Sequence, residues 1–135
     1  YQERCHKEVE QKLYDLKMIP EAKEKIIIHL LQHNFLNEER FAKAFARGKF
    51  SIKKWGKLRI VNELKFRNIS SYNINTALQE IKEVDYLNTL KIIAEKKLIL
   101  IKEPNHFKKT NKLSNYLISK GFESNLVYQT VKSIC

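Results

Sequence analysis

The stretch VNELKFRNISSYNINTALQEI, residues 61–81, decides the fold, because its apolar pattern returns in SNYLISKGFESNLVYQTVKSI, residues 114–134. Both stretches place their apolar residues at identical offsets. The pattern is typical of two short helices joined by a tight turn. The matching apolar positions are Leu64, Ile69, Ile74, Leu78 and Ile81 in the first stretch and Leu117, Phe122, Val127, Val131 and Ile134 in the second.

A third copy is visible in EQKLYDLKMIPEAKEKIIIHLL, residues 10–31, when one residue is inserted in its turn. Its apolar positions are then Leu13, Ile19, Ile28 and Leu31. A further helix precedes each of the two later pairs, so the repeating unit has three helices. We therefore predict an all-α chain of three repeats: residues 1–37, which lack the leading helix, residues 38–84 and residues 85–135.

Residues that start and stop helices support this division. Pro20 suits the first turn of a helix, Asn37 can cap the next one, and Ser70 or Ser71 can cap a later one. Pro104 ends a long apolar helix. The predicted helices cover about 5–16, from 20 onward, 39–50, 57–67, 71–81, 86–101, 107–119 and 123–134.

Composition agrees with a helical fold and indicates the kind of partner. The 135 residues include three Gly and two Pro, fewer than β-sandwiches and barrels need for their turns. Lys and Arg number 26 against 15 Asp and Glu, a net charge of +11. An excess of this size favours a polyanionic partner, which is nucleic acid, an acidic protein surface or a membrane face.

Apolar runs, the start of the chain and the cysteines indicate the cellular compartment. No apolar run approaches the roughly 18 residues of a membrane span, and no signal-peptide pattern is present. The chain opens with Tyr1 and its only Met is Met18, so we expect a fragment that lacks some N-terminal structure. Cys5 and Cys135 lie at opposite ends without a CxxC spacing, which favours a reducing compartment and hence the cytoplasm.

The segment NFLNEERFAKAFARGKFSIKKWGKLRI, residues 34–60, concentrates the positive charge. On a helix with 100° per residue, the cations of one stripe fall within about 60° of each other, and they are Arg40, Lys43, Arg47 and Lys54. A separate stripe, predicted to be buried, holds Phe41, Ala44, Phe45, Gly48 and Ile52. Gly48 is expected to weaken this helix unless close packing requires a residue without a side chain.

Two interpretations of this basic segment compete. Runs of charge are usually solvated faces, but such faces mix both signs, and the only acid between Arg40 and Arg67 is Glu63. We therefore favour a binding surface for a polyanionic partner made of Arg40, Lys43, Arg47, Lys49, Lys53, Lys54, Lys57, Arg59, Lys65 and Arg67. The lone Trp55 is interpreted as core packing rather than as a platform for a nucleic-acid base.

Catalytic patterns are weak. Gly56 and Lys57 resemble the end of a phosphate-binding loop, but Ser51 stands where that motif requires Gly. His29 and His33 have a spacing that can share a metal, but no third ligand is near in sequence. No Cys–His pair and no pair of carboxylates has local support, so we predict no enzyme, no metal and no cofactor.

The segment NFLNEERFAKAFARGKFSIKKWGKLRIVNELKFRNIS, residues 34–70, resembles the RecX family of bacterial recombinase regulators. The residues that carry the resemblance are Phe35, Leu36, Asn37, Glu38, Arg40, Phe41, Ala42, Gly56, Ile60, Leu64 and Ile69, and LISKGF near the end resembles the family's recurring turn. Asn37 and Glu38 replace an acidic pair, and Asn68 replaces a Gly. Because Asn is the next best residue in a left-handed turn, the geometry is expected to survive.

The resemblance implies an elongated, curved array of tandem three-helix, helix-turn-helix-like repeats. It also implies a regulatory protein that binds the RecA nucleoprotein filament in its groove and inhibits RecA activities. We expect a monomer with no membrane contact and with non-specific contacts to single- or double-stranded DNA. The alternatives are a stand-alone helix-turn-helix-like DNA-binding protein, which would contact phosphates with the same cations, and an adaptor for another acidic protein.

Overall fold

The computed structural model describes residues 3–135, and every regular element in that range is an α-helix. The eight helices are α1 (His6–Asp15), α2 (Pro20–Gln32), α3 (Glu38–Ser51), α4 (Lys57–Phe66), α5 (Ser71–Leu78), α6 (Glu83–Leu100), α7 (His106–Ser119) and α8 (Ser124–Ile134). The all-α prediction is therefore confirmed, and the predicted helices agree with these bounds to within a few residues. None of these helices is long and apolar enough to cross a membrane.

The predicted helix starts are confirmed by their hydrogen bonds. The backbone N–H of Arg40 donates to Asn37 Oδ1 at 2.9 Å, so Asn37 caps α3. The N–H of Asn73 donates to Ser70 Oγ at 3.2 Å, which selects Ser70 over Ser71 as the cap of α5. Pro20 occupies the first turn of α2, where its missing N–H leaves no bond unmade.

The three repeated turns share one backbone geometry. Lys17, Asn68 and Gly121 each have a positive φ, of 57°, 61° and 99°. In each turn the next residue donates its N–H back to a carbonyl five residues earlier. These bonds are Met18 to Leu13 at 3.3 Å, Ile69 to Leu64 at 3.1 Å and Phe122 to Leu117 at 3.3 Å. This pattern is the Schellman motif, so the left-handed geometry expected at Asn68 is confirmed.

The same bonds correct the register of the first copy. Met18, not Ile19, is the counterpart of Ile69 and Phe122, so the turn after α1 has no inserted residue. Ile19, Ile28 and Leu31, which the inserted register predicts to be core residues, are 63%, 44% and 48% exposed. Without the insertion the matching residues are Met18, Ile27 and Leu30, and all three are half-buried. Because residues 26–28 are all Ile, the apolar pattern matches in either register, and only the turn decides.

The chain divides into two compact units that cut across the second predicted repeat. The first unit comprises the described residues up to Arg47 together with Asn62–Glu80. The second unit comprises Gly48–Val61, hereafter the connecting segment, together with Ile81–Cys135. The end of α3 and the start of α4 therefore belong to the second unit. The repeat limits near residues 37 and 84 stay predictions.

Each unit has its own buried core. The first unit buries Cys5, Leu13, Leu36, Phe41, Ala42, Ala46, Leu64, Ile69, Ile74 and Ala77. In the second unit α6, α7 and α8 pack against one another and bury Ile60, Ile81, Tyr86, Leu90, Ala94, Leu113, Leu117, Phe122, Val127 and Val131. The aromatic rings of Phe50, Tyr86 and Phe122 form a chain in this second core, with centroids 5.8 and 5.3 Å apart.

The buried stripe predicted on α3 needs two corrections. Phe41 is buried as predicted, but its fully buried companions are Ala42 and Ala46, while Ile52 follows the end of the helix and is 77% exposed. Close packing does not explain Gly48 either, because a Cβ at that position would meet nothing within 4 Å. Gly48 therefore lowers the stability of α3, and no close contact compensates for this loss.

Candidate functional site

The ten cations predicted to form a binding surface divide equally between the two units. Five belong to the first unit: Arg40, Lys43, Arg47, Lys65 and Arg67. Five belong to the connecting segment: Lys49, Lys53, Lys54, Lys57 and Arg59. The surroundings of the individual cations differ in how near carboxylates lie.

Ion pairs compensate the charges of Arg40, Lys43 and Arg47 on α3. Arg40 Nε lies 2.6 Å from Glu3 Oε1, and Arg47 Nη1 lies 2.8 Å from Glu80 Oε1. Lys43 Nζ lies 3.1 Å from a carboxylate oxygen one turn earlier on the same helix, at Glu39. The expectation of a cationic stripe without acids is therefore wrong for α3. A helix projection of one segment omits carboxylates that the fold supplies from residues about 33 to 37 positions away.

Arg67 is the most enclosed of the first group. Its guanidinium contacts Glu63 Oε2 at 2.9 Å and Glu8 Oε2 at 3.4 Å, and it lies 4.8 Å from the centroid of the Phe45 ring. Burial opposes the charge, but the hydrogen bond to Glu63 and the nearby Glu8 outweigh it and raise the pKa of Arg67. Arg67 thus links α1 to α4 within the first unit, while Lys65 is exposed on α4.

Trp55 contacts two cations of the connecting segment, Lys49 and Arg59. The guanidinium carbon of Arg59 lies 4.2 Å from the Trp55 ring centroid, and Lys49 Nζ lies 5.0 Å from it. Both distances are within the range of cation–π attraction. The indole is half-buried and is not one of the core side chains, which contradicts the core-packing interpretation.

Lys54 departs most from its predicted position. Helix α3 ends at Ser51, and Lys54 has a φ of 58°, so it does not continue the cationic stripe. Its Nζ instead donates to the carbonyl oxygen of Ser51 at 2.7 Å. A stripe through Lys54 requires an unbroken helix, and the turn that ends α3 at Ser51 removes Lys54 from it.

Two glycines hold the connecting segment against the turn between α7 and α8. The N–H of Gly56 donates to the carbonyl of Lys120 at 2.8 Å, and the N–H of Leu58 donates to that of Gly121 at 3.0 Å. A Cβ on Gly56 would lie 2.2 Å from the carbonyl carbon of Gly121, and one on Gly121 would lie 2.3 Å from Arg59 Cβ. Only residues without side chains permit this approach.

Tyr86 fixes the start of α4 in the same unit. Its buried hydroxyl donates to Glu123 Oε1 and accepts the backbone N–H of Lys57 at 3.0 Å. Burial, followed by the hydrogen bond to Glu123, raises the pKa of the Tyr86 hydroxyl far above its ordinary value. The Lys57 ammonium lies 4.6 Å from the Tyr86 ring centroid and 3.6 Å from Glu83 Oε2. Lys57 therefore has a carboxylate partner within its own unit.

Lys120 contacts the connecting segment. The sequence pattern did not predict it as a binding residue, although it belongs to the recurring turn LISKGF. Its Nζ donates to the carbonyl oxygen of Lys53 at 2.7 Å. Burial, then the charges of Arg59 and Lys53, lower the pKa of Lys120. Within residues 3–135 none of these three cations is in an ion pair. We name Lys53, Arg59 and Lys120 the basic cluster.

A metal centre has no support in the described part of the chain. The rings of His29 and His33 lie 4.3 Å apart, centroid to centroid, and are tilted by 43°. No group of three or more His, Cys, Asp or Glu side chains that could hold a metal ion occurs among residues 3–135. The two histidines contact each other as aromatic rings on α2 and at its end.

Comparison with known proteins supplies the family. Residues 37–78 match the family model described as RecX, second three-helix domain, and residues 83–131 match RecX, third three-helix domain. The regulatory protein RecX of Clostridium beijerinckii is 31% identical over 134 residues, covering 97% of this chain and 62% of that protein. The regulatory protein RecX of Yersinia enterocolitica is 32% identical over 103 residues, covering 76% of this chain and 60% of the relative. The chain thus spans about three fifths of the length of these two relatives.

Solved structures agree at the level of the fold. The crystal structure of RecX from Lactobacillus salivarius matches with a TM-score of 0.82 at 24% identity, covering 98% of this chain and 86% of that one. A second crystal structure of a regulatory protein RecX matches with a TM-score of 0.87 at 22% identity, covering 98% of this chain and 65% of that one. The two matched domains together extend over most of the sequence, and the chain belongs to the RecX family of regulatory proteins.

Proposed function

We propose that this protein binds the RecA–DNA filament and inhibits RecA activities in recombination, DNA repair and the SOS response. The family supports a regulatory role, since the relatives are named regulatory protein RecX. The observation that carries the proposal is the basic cluster, Lys53, Arg59 and Lys120, which lies beside Trp55 and has no ion-pair partner in residues 3–135. A filament of protein on DNA presents a polyanionic, periodic surface to such a cluster.

Charge compensation ranks the ten proposed contact residues. A cation already paired with a carboxylate must break or share that ion pair before it contacts a phosphate. Its net contribution to the free energy of binding is therefore small. Arg40, Arg47 and Arg67 are in this position. Lys53 and Arg59 lose no ion pair, so we propose that they contribute most to the affinity, together with Lys120.

The proposed inhibition follows from repeated weak contacts. A monomer with several three-helix repeats can contact neighbouring RecA subunits at once, and linked contacts raise the overall affinity without any single strong contact. Subunits that are bridged in one arrangement resist the rearrangement that ATP turnover requires, because the bound protein favours one state over the other. The proposed setting is the cytoplasm, where a RecA filament forms on single-stranded DNA.

The test is RecA's single-strand-dependent ATP hydrolysis at fixed salt as this protein is added. We expect inhibition at fewer than one molecule per RecA monomer. The double variant Lys53→Glu/Arg59→Glu should raise the half-inhibitory concentration by at least about tenfold, because two contacts become repulsive. The matched control is Lys91→Glu/Lys102→Glu, which makes the same charge change at two exposed lysines of the second unit outside the basic cluster. Equal loss in both variants would contradict the proposed surface.

The same cluster also favours direct binding to DNA, so a second measurement separates the two functions. Titration of bare duplex at moderate salt should show weak binding that is independent of sequence and falls steeply with salt. Tight, sequence-dependent binding without inhibition of RecA would instead support the stand-alone DNA-binding protein.

A further inference from the structure

A groove runs along one side of α6 in the second unit. It encloses about 330 Å³ between α6, α7 and the connecting segment. Its apolar surface includes Ile92, Ile93 and Leu100 of α6 and the ring of Tyr116 of α7. A groove of this size accommodates a few side chains of a bound segment, rather than a folded surface.

Two apolar residues of the groove, Ile92 and Leu100, lie outside the core of the unit. Helix α6 buries Tyr86, Leu90 and Ala94 on the face that packs against its neighbours. Ile92 and Leu100 remain 52% and 69% exposed. A helix that is apolar on a second face, outside its own core, is typical of a helix that another segment covers.

Lysines surround this apolar surface. Lys54, Lys96, Lys97 and Lys120 line the groove, and no carboxylate lines it. Lys54 and Lys120 donate to backbone carbonyls, and Lys97 Nζ lies 4.6 Å from the Tyr116 ring centroid. Within the described chain none of the four is in an ion pair, so the groove has four positive charges without a counter-charge from the protein.

We propose that the α6 groove binds an acidic peptide segment with apolar side chains, which pack against Ile92, Ile93 and Leu100 while its carboxylates contact the four lysines. Charge complementarity favours an acidic segment over a basic or neutral one. Nucleic acid fits the groove less well, because base stacking requires open aromatic faces and the one ring here is covered by Lys97. The proposal goes beyond regulation of RecA, since such a peptide site functions whether or not the filament is the partner.

The experiment uses the full chain and a fluorescein-labelled helical peptide made of Leu, Glu and Ala, with Leu at every third or fourth position. Binding is followed by fluorescence anisotropy. Two further probes are the same peptide with each Leu replaced by Ser, and an oligothymidylate of matched charge. We expect the first peptide to bind at least about tenfold more tightly than the serine peptide, because the apolar contacts are then lost. Equal binding of the two peptides, or tighter binding of the oligothymidylate, would overturn the proposal.

Variants assign the binding to the groove. Ile92→Ser and Lys96→Glu/Lys97→Glu should each weaken binding of the leucine peptide by about tenfold, through the apolar and the charged contacts respectively. Lys91→Glu/Lys102→Glu, outside the groove, should change it by less than about threefold. Ile92 and Lys96 are exposed and Lys97 is half-buried, so circular dichroism is measured for both variants and should show unchanged helix content. Unchanged binding in both groove variants would place the peptide elsewhere and reject the α6 groove.

Discussion

Arg47 of the first unit and Arg59 of the second unit are both exposed arginines of one basic segment, but their surroundings differ. Arg47 Nη1 is paired with Glu80 at 2.8 Å. Arg59 lies over the Trp55 ring, and its charge, with that of Lys53, adds to the burial that lowers the pKa of Lys120. Equal charge in the sequence therefore does not mean equal availability, because the fold supplies a carboxylate to one arginine and an aromatic ring to the other.

The different surroundings of Arg47 and Arg59 affect the binding of a polyanion more than the stability of the fold. An exposed ion pair such as Arg47–Glu80 contributes only about 0–1 kcal/mol to folding, since water already solvates both groups. Its larger effect is to cancel the local potential that attracts a polyanion. The basic cluster keeps its potential because the glycine contact and the Tyr86 hydrogen bonds hold the connecting segment in place.

The largest expected effect comes from breaking the glycine contact. Gly121→Ala places a Cβ 2.3 Å from Arg59 Cβ at a φ of 99°, so steric overlap and backbone strain add together. We expect a loss of about 3 kcal/mol or more in the free energy of unfolding, measured by urea denaturation. The second unit should then lose the geometry that positions the basic cluster.

Gly48→Ala is the matched control, because it makes the same chemical change where a Cβ meets nothing within 4 Å. It should stabilise α3 by about 0.5–1 kcal/mol by restricting the unfolded chain. No loss of stability in Gly121→Ala would contradict the close approach of the two backbones, whereas a loss in Gly48→Ala would contradict the open surroundings of Gly48.

The next largest effect concerns the Tyr86 hydroxyl. Tyr86→Phe leaves the N–H of Lys57 and a carboxylate oxygen of Glu123 without their partner. Because buried unpaired groups are costly, we expect a loss of about 2 kcal/mol in urea denaturation at pH 7. Tyr128→Phe, at a residue that is 58% exposed, is the control and should change stability little. Equal losses would indicate a general effect of tyrosine removal.

The same hydroxyl predicts a pH dependence. Burial and Glu123 raise the pKa of Tyr86 in the folded state, whereas in the unfolded chain the phenol ionises near about pH 10. The contribution is therefore fully present below pH 10 and is lost as pH rises beyond it, by about 1.4 kcal/mol per pH unit. Urea denaturation between pH 9 and about pH 11 should show a smaller decline in Tyr86→Phe than in the parent. Parallel curves would argue against a buried neutral phenol.

The smallest expected effect tests the ion pair between Arg47 and Glu80. Glu80→Gln removes the counter-charge of Arg47 and should change stability by less than about 1 kcal/mol. Loss of this counter-charge should raise the salt concentration at which the protein elutes from heparin. Glu95→Gln makes the same charge change at an exposed residue of the second unit, so it corrects for net charge alone. Identical elution of the two variants would mean that the ion pair does not limit Arg47.

Local patterns predicted much of the fold. The helices, the caps at Asn37 and Ser70 and the left-handed Asn68 all depend on residues within a few positions of each other, which a single sequence displays. The residue inserted in the turn of the first copy was a wrong prediction, although it too concerns neighbouring residues. Three successive isoleucines, residues 26–28, fit two registers equally well, and only the hydrogen bond from Met18 to Leu13 distinguishes them.

The sequence by itself determined a helical chain of repeats with a large positive charge, because periodicity, capping residues and composition act locally. Tertiary structure decided which cations remain available, since Glu3 and Glu80 reach Arg40 and Arg47 only after the chain folds. It also decided that the connecting segment packs with Lys120, through two glycines 65 positions apart that a periodic pattern does not relate. Ion pairing and steric fit depend on distances in space, and a linear sequence does not contain those distances.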